Sequence, residues 1–339
     1  MASGLLRVSG TIDLSQFWPT ESSDADTSKI KVDVTGSPFE FRPQPGAAFQ
    51  VTNAFTNATV RGSVEKPAID KNNRITVRLQ GIDAPELHYR PKALLGPKKR
   101  NKSQNDLYLQ WNLEYRQYLA ETATIALTAL LQGAGQNPLP CRVESKVDEP
   151  NEVFDTYARF VGDIIVTMGG QDQNINHWLL KQGWAFPAFY ASMSSDEITE
   201  LTGYSDTAYQ TSAGVWGSLD DYAAALDWNL VYRGKGAAPN PNADKGGVLV
   251  PKLFRRLSAW AVNKRAGMAS GTFLTYLKAH PDVCYLTEDF LVQGPTASPP
   301  HKLDEFVEAD GFFNVWPEQI IFHEKPSKVT GPGGAPVMW

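Results

Sequence analysis

The order of elements along the chain predicts an α+β fold, a small closed β-barrel with about three helices, followed by a mostly helical C-terminal extension. Three observations carry this expectation. Short runs that alternate apolar and polar residues recur through the first half of the chain, with the period of two of a half-buried strand. Helix-spaced segments follow the third and the last of these runs. The 339 residues exceed what one compact core usually holds, so a main unit over 1–217 and an addition over 218–339 are expected.

The first strand covers Leu5 to Ile12, and a polar break at Glu21–Thr27 leads into a second, where Ile30 and Val32 alternate with Lys29 and Lys31. A Pro/Gly/Asn-rich segment over about 35–73 reads as an insertion. Ile75, Val77 and Leu79 form the apolar face of the third strand. From Gln104 to Gln132, residues such as Leu107, Trp111, Tyr115, Leu119 and Ile125 keep near-helical spacing and predict a helix. Two strands follow, near Cys141–Val147 and Arg159–Thr167, and then helices over Asn174–Gln182 and about Ser195–Ala213. Short antiparallel strands with helices at their ends suit the OB-fold, the commonest small barrel that binds nucleic acid.

The stretch over about 234–247 has linker composition. Val250–Lys264 is predicted to be an amphipathic helix, with Leu253, Leu257, Trp260 and Ala261 on one side and Arg255, Arg256 and Lys264 elsewhere. A further helix is expected over Gly271–His280, with Ser270 as its cap, and a mobile tail from about residue 326.

Composition narrows the function classes. A formal net charge of −5 excludes a generally basic nucleic-acid binder, so any such contact needs a local basic patch. Cys141 and Cys284 form no CxxC pattern, which argues against a thiolate zinc site and a disulfide framework. No apolar run is long enough to cross a membrane. Met1–Val8 lacks the pattern of a secretory leader, so the protein is expected either in the cytoplasm or outside it after trimming.

The densest chemistry lies in Val77-Arg78-Leu79-Gln80-Gly81-Ile82-Asp83-Ala84-Pro85-Glu86. A strand carrying an arginine breaks at a glycine and presents two carboxylates on a Pro-stiffened turn. A fixed cation, a metal-type carboxylate and a second carboxylate are the groups that phosphodiester hydrolysis needs. Asp24 and Asp26 flank the turn that opens the second strand, and in a small barrel the two turns can meet at one rim. Two carboxylates and a backbone carbonyl would suit Ca²⁺, which takes oxygen ligands in irregular geometry. Turn capping is the plain alternative for each aspartate. Glu86 can hold a water and take its proton, or be a solvated loop residue. Arg78 and Arg159 offer forked cations for phosphate, or salt bridges, with Asp155 or Asp163 as partner for Arg159. Arg90, Lys92, Lys98, Lys99, Arg100 and Lys102 form a basic loop directly after Glu86, a track for a phosphate backbone or a solvated surface.

Together these blocks resemble the staphylococcal nuclease-like (thermonuclease) family. Asp24-Ala25-Asp26-Thr27 is similar to its D-G-D-T opening, and Arg78-Leu79…Ile82-Asp83-Ala84-Pro85-Glu86 to its R-L-x-x-(I/V)-D-(T/A)-P-E block. Asp155-Thr156-Tyr157-Ala158-Arg159 resembles D-x-Y-G-R, Asn176…Leu180-Lys181-Gln182-Gly183-Trp184-Ala185 the N-x-x-L-(V/L)-x-x-G-x-A helix, and Gly214-Val215-Trp216 the G-(I/L)-W ending. The resemblance implies that Asp26, Asp83 and the carbonyl of Ala84 hold Ca²⁺, that Glu86 is the general base, and that Arg78 and Arg159 clamp the phosphate. It implies a nucleotide pocket at Tyr157, with Phe189 and Tyr190 standing where two tyrosines one residue apart are typical. Lys92, Lys98, Lys99 and Arg100 are the further candidates for substrate contact. Thr156 stands where a lysine is common.

The expected function is thus a metal-dependent phosphodiesterase, an endonuclease acting on DNA, RNA or both. The competing expectation is a nuclease-like barrel with weak or lost catalysis that grips nucleic acid or a protein. A third makes the C-terminal extension the functional part, for self-association or delivery.

Overall fold

The computed structural model describes residues 3–33, 38–222, 224–240, 246–294, 296–325 and 327–339. Residues 35–37 of the expected insertion, 241–245 of the expected linker and 326 at the start of the expected tail lie outside the described residues.

Five strands close on themselves: β1 (Leu5–Ile12), β2 (Thr27–Val32), β3 (Arg74–Leu79), β4 (Leu139–Lys146) and β5 (Phe160–Met168). β1 pairs antiparallel with β2 and β4, β2 with β3, and β4 with β5, while β3 and β5 run parallel and complete the ring. This is an OB-like barrel, as the alternation predicts. Leu6, Val8, Ile30, Val32, Ile75, Val77, Val143 and Ile164 fill it because alternate side chains of every strand face inward.

The helices among the described residues are α1 (Lys102–Trp111), α2 (Ala120–Gln132), α3 (Ile175–Lys181), α4 (Ser195–Gln210), α5 (Pro251–Arg265), α6 (Phe273–Ala279) and α7 (Thr287–Gln293). The single helix expected over 104–132 is therefore two. Asn112 leaves helical geometry at φ −81°, ψ 63°, and Leu119 enters α2 from the left-handed region at φ 65°. Between them Tyr115 exchanges both backbone hydrogen bonds with Tyr89, at 2.8 and 2.9 Å, and its ring is fully buried. Long-range pairing and burial here override local periodicity. The cap of α6 is Thr272, whose hydroxyl accepts from the Thr275 N–H, rather than Ser270.

The insertion builds onto the barrel. Phe39–Arg42 adds to β1, and Thr59–Arg61 pairs with Lys328–Thr330 near the end of the chain. The expected mobile tail is instead laid along the barrel. Trp339 stacks on Phe41 at 4.2 Å, and its indole N–H donates to the Asp148 carbonyl at 2.6 Å. Aromatic burial is what anchors this end.

Residues beyond 217 share a core with those before it. Leu253, Leu257 and Val262 of α5 pack in one cluster with Tyr108 and Tyr115. Strand Ile320–Phe322 runs parallel to Phe189–Tyr190 and antiparallel to Val283–Leu286. Both cysteines are free and buried. Among the described residues no helix is long and apolar enough to cross a membrane.

Candidate active site

The site begins where β3 ends. Gly81 has φ +74°, a conformation that glycine adopts without strain, and a Cβ there would lie 2.4 Å from Leu201 Cδ1. The chain turns back, and Ile82–Asp83 pairs with Phe186–Pro187. That return brings Asp83 under Arg78, whose Nη2 donates to Asp83 Oδ1 at 2.6 Å and to the Ile82 carbonyl at 3.2 Å. The register of β2 and β3 places Thr27 opposite Arg78, so Asp26 reaches the same guanidinium. Arg78 Nη1 donates to Asp26 Oδ2 at 2.5 Å, and the Ala84 N–H donates to that oxygen at 2.9 Å.

A second arginine arrives from α5. Arg255 Nη2 donates to Asp83 Oδ2 at 2.8 Å and Nη1 to Asp83 Oδ1 at 3.2 Å. The same Nη1 donates to Glu86 Oε1. Three carboxylates thus meet two guanidiniums, leaving one formal negative charge on the group. Pairing of this kind is the condition for keeping such charges buried.

Electrostatics separates the carboxylates. Burial pushes Asp83 up, but Arg255 and then Arg78 outweigh it and hold its carboxyl far below the usual range. Glu86 is shifted upward, because burial outweighs the opposing charge of Arg255. Burial and the neighbouring Asp26 push Asp24 up to about 7. His88 is raised: burial pulls it down, but Asp24, the Ser22 carbonyl and Glu86 together outweigh that. Both arginines stay charged despite burial, held by Asp26 and Asp83 around Arg78 and by Asp83 and Glu86 around Arg255.

Asp24, Asp26, Glu86 and both arginines face a cavity of about 770 Å³ between the barrel rim and α5, whereas Asp83, though expected at the site, is buried and does not line it. Asp26, Arg78, Glu86, Lys92, Tyr157, Arg159 and Tyr190 all line it, so seven expected site residues from distant parts of the chain share one space. Arg159 Nε donates to Asp155 Oδ2 at 2.7 Å, the salt bridge weighed as its alternative, while its side chain still borders the cavity. Tyr157 is 46% exposed, with Lys92 Nζ 5.5 Å and Arg159 Cζ 5.6 Å from its ring centre. Ala84 is buried beside Asp26, which its N–H engages.

Other expected residues stand apart. Phe189 is fully buried in the barrel core and does not border the cavity. Successive strand residues face opposite ways, so Tyr190 reaches the cavity and Phe189 cannot. Lys98 and Lys99 lie exposed on the turn Pro97–Lys99, away from it. Arg100 covers the Tyr108 ring, 4.8 Å from its centre. Of the basic loop only Lys92 reaches the cavity.

Sequence reasoning left out Arg255, which touches two of the site carboxylates. Its signal was only a basic residue on an amphipathic helix, with nothing to say which rim that helix meets. Lys252 and Arg256, from the same helix, also line the cavity.

The donor set is right in kind for Ca²⁺, since all candidate ligands are oxygens. Asp24 Oδ1 is buried and accepts no hydrogen bond from a described group. The Asp26 and Asp83 carboxylates, however, are engaged by guanidiniums in this arrangement, and no group of three or more His, Cys, Asp or Glu among the described residues is set to hold a metal ion.

Residues 76–218 match the family model described as staphylococcal nuclease homologue. The chain carries a staphylococcal nuclease-like domain. No curated protein matches the chain. The matched segment of the nuclease-like domain contains Arg78, Asp83, Glu86, Tyr157 and Arg159; Asp26 precedes it and Arg255 follows it. The domain thereby suggests a nuclease or hydrolase and contact with nucleic acid.

Proposed function

We propose that this chain hydrolyses phosphodiester bonds of DNA or RNA with low sequence specificity. One observation supports the reading most: Asp26, Arg78, Glu86, Tyr157 and Arg159 border a single cavity between the rim of a nuclease-like barrel and α5. Arg78 and Arg159 would bind the non-bridging oxygens of the phosphate and offset the charge that grows there. Tyr157 and Tyr190 offer aromatic faces to a base, and Lys92 a cation to the next phosphate. Glu86 would take the proton of the water that adds to phosphorus, and the ester oxygen then leaves with a proton from solvent. An upward-shifted carboxylate is better matched to that task at neutral pH.

Asp26, Asp83 and the carbonyl of Ala84 are the residues that would hold Ca²⁺. Bound there, the ion would supply Lewis-acid stabilisation of the phosphate charge.

One observation favours a second reading, a module that binds nucleic acid or a protein without rapid turnover: Glu86 is engaged by Arg255. The deciding experiment digests single-stranded DNA, duplex DNA and RNA with the full chain, in Ca²⁺ and in chelator. Cleavage that stops in chelator is expected. Undiminished cleavage in chelator removes the metal from the mechanism. Binding without cleavage in either condition carries the second reading.

A further inference from the structure

Asp83, one of the carboxylates expected to hold a metal, already holds a cation supplied by α5. Arg255 spans Asp83 with both Nη atoms, at 2.8 and 3.2 Å, and reaches Glu86 with one of them. Its forked donors match carboxylate geometry, and it cannot lose its proton near neutral pH. Without this guanidinium, the buried Asp26 and Asp83 and the half-buried Glu86 would face Arg78 alone. Uncompensated buried charge is strongly unfavourable, so the group needs a second cation, and Arg255 supplies it where no metal does.

We infer that Arg255 is the resident counter-cation of this site and competes with a divalent metal ion for Asp83. The inference rests on the nuclease reading above and adds a residue from outside the nuclease-like segment.

Charge favours an exchange. With Arg255 in place the group keeps one formal negative charge; a dication in its stead closes the balance. Geometry allows the side chain to move without its helix. The helix is fixed: Asn263 of α5 donates to the Lys92 carbonyl at 2.9 Å and accepts from the Leu94 N–H at 2.9 Å, while Leu253, Leu257 and Val262 are buried. The guanidinium stands at the end of a long flexible stem bordering the cavity of about 770 Å³, which has room for it once withdrawn. From there it would still lie beside any bound phosphate. The metal-free site is then a closed ion network, and metal binding carries the cost of breaking it.

The test is calorimetric titration of Ca²⁺ into the full chain, without nucleic acid, for the unmodified protein, Arg255→Met and Arg255→Lys. Methionine keeps the apolar stem and removes the charge. Arg255→Met should bind Ca²⁺ at least about tenfold more tightly, the scale of an ordinary coupling between competing ligands. Circular dichroism checks that each variant is folded. If Arg255→Met does not fold, Arg255→Lys decides, because one ammonium cannot bridge both carboxylates as the fork does; it should shift affinity in the same direction by less. Equal, measurable affinity in the unmodified and folded variant proteins overturns the competition and leaves the metal reading standing. No binding by any folded form overturns both.

Discussion

Arg255 donates to Glu86 across 169 positions of the chain. The contact joins α5 to the turn after β3. It makes the barrel rim and the C-terminal residues one electrostatic unit, and it places a cation on the carboxylate that would serve as base.

Removing residues 218–339 should therefore leave a chain that does not fold stably. The deletion exposes Tyr115, strips Phe189–Tyr190 of its strand partner and leaves Asp83 and Glu86 without Arg255. Loss of one partner of a buried pair alone costs about 3–5 kcal/mol. Expression of residues 1–217, followed by soluble yield and circular dichroism, checks this. A soluble, cooperatively melting product would refute the shared core.

Glu86→Gln keeps the shape of the side chain and a carbonyl to accept from Arg255. It should lower turnover by about 10²–10⁴, the usual worth of a positioned base, with nucleotide affinity little changed. Turnover and binding measured on the same preparation separate the two effects. Full activity would remove Glu86 as the base.

Arg159→Ala should cost about a hundredfold or more in turnover if the guanidinium stabilises phosphate charge, and Arg159→Lys should recover little, because a point charge lacks the fork. The Asp155 pair is partly exposed and contributes little to stability. A mild kinetic effect alongside unchanged melting would mean that Arg159 serves only that pair.

Asp24→Asn should raise stability at alkaline pH. The folded-state value of about 7 lies above the ordinary 3.8, so folding favours the protonated acid. The stability this provides is complete below about 4 and is lost as pH rises through about 7. The amide escapes that loss, so the gap in melting temperature should widen from pH 4.5 to 7 and level off above. A constant gap across that range would exclude a shifted Asp24.

Much of the fold is legible in local pattern. The alternation of Ile75, Val77 and Leu79, and of Ile30 and Val32, predicts strands that are present, because a period of two is the direct signature of one buried face. The pattern misled at 104–132, where the spacing of Tyr115 and Leu119 is helical but Tyr115 pairs with Tyr89 instead. Phe189 and Tyr190 are adjacent and both aromatic, and only the direction of each side chain separates core from cavity.

By itself the sequence determined which short segments carry chemistry and in what order: the arginine and two carboxylates on one turn, the acidic opening of β2, the Asp155–Arg159 turn. Those are local facts, written in residues a few positions apart. Only the tertiary structure decided that the segments meet. Strand register sets Asp26 against Arg78, and the packing of α5 against Tyr108 and Tyr115 sets Arg255 on Asp83 and Glu86. A periodic pattern states which face of a helix is buried, but not which carboxylate its arginine will meet, because that depends on the summed packing of the whole chain.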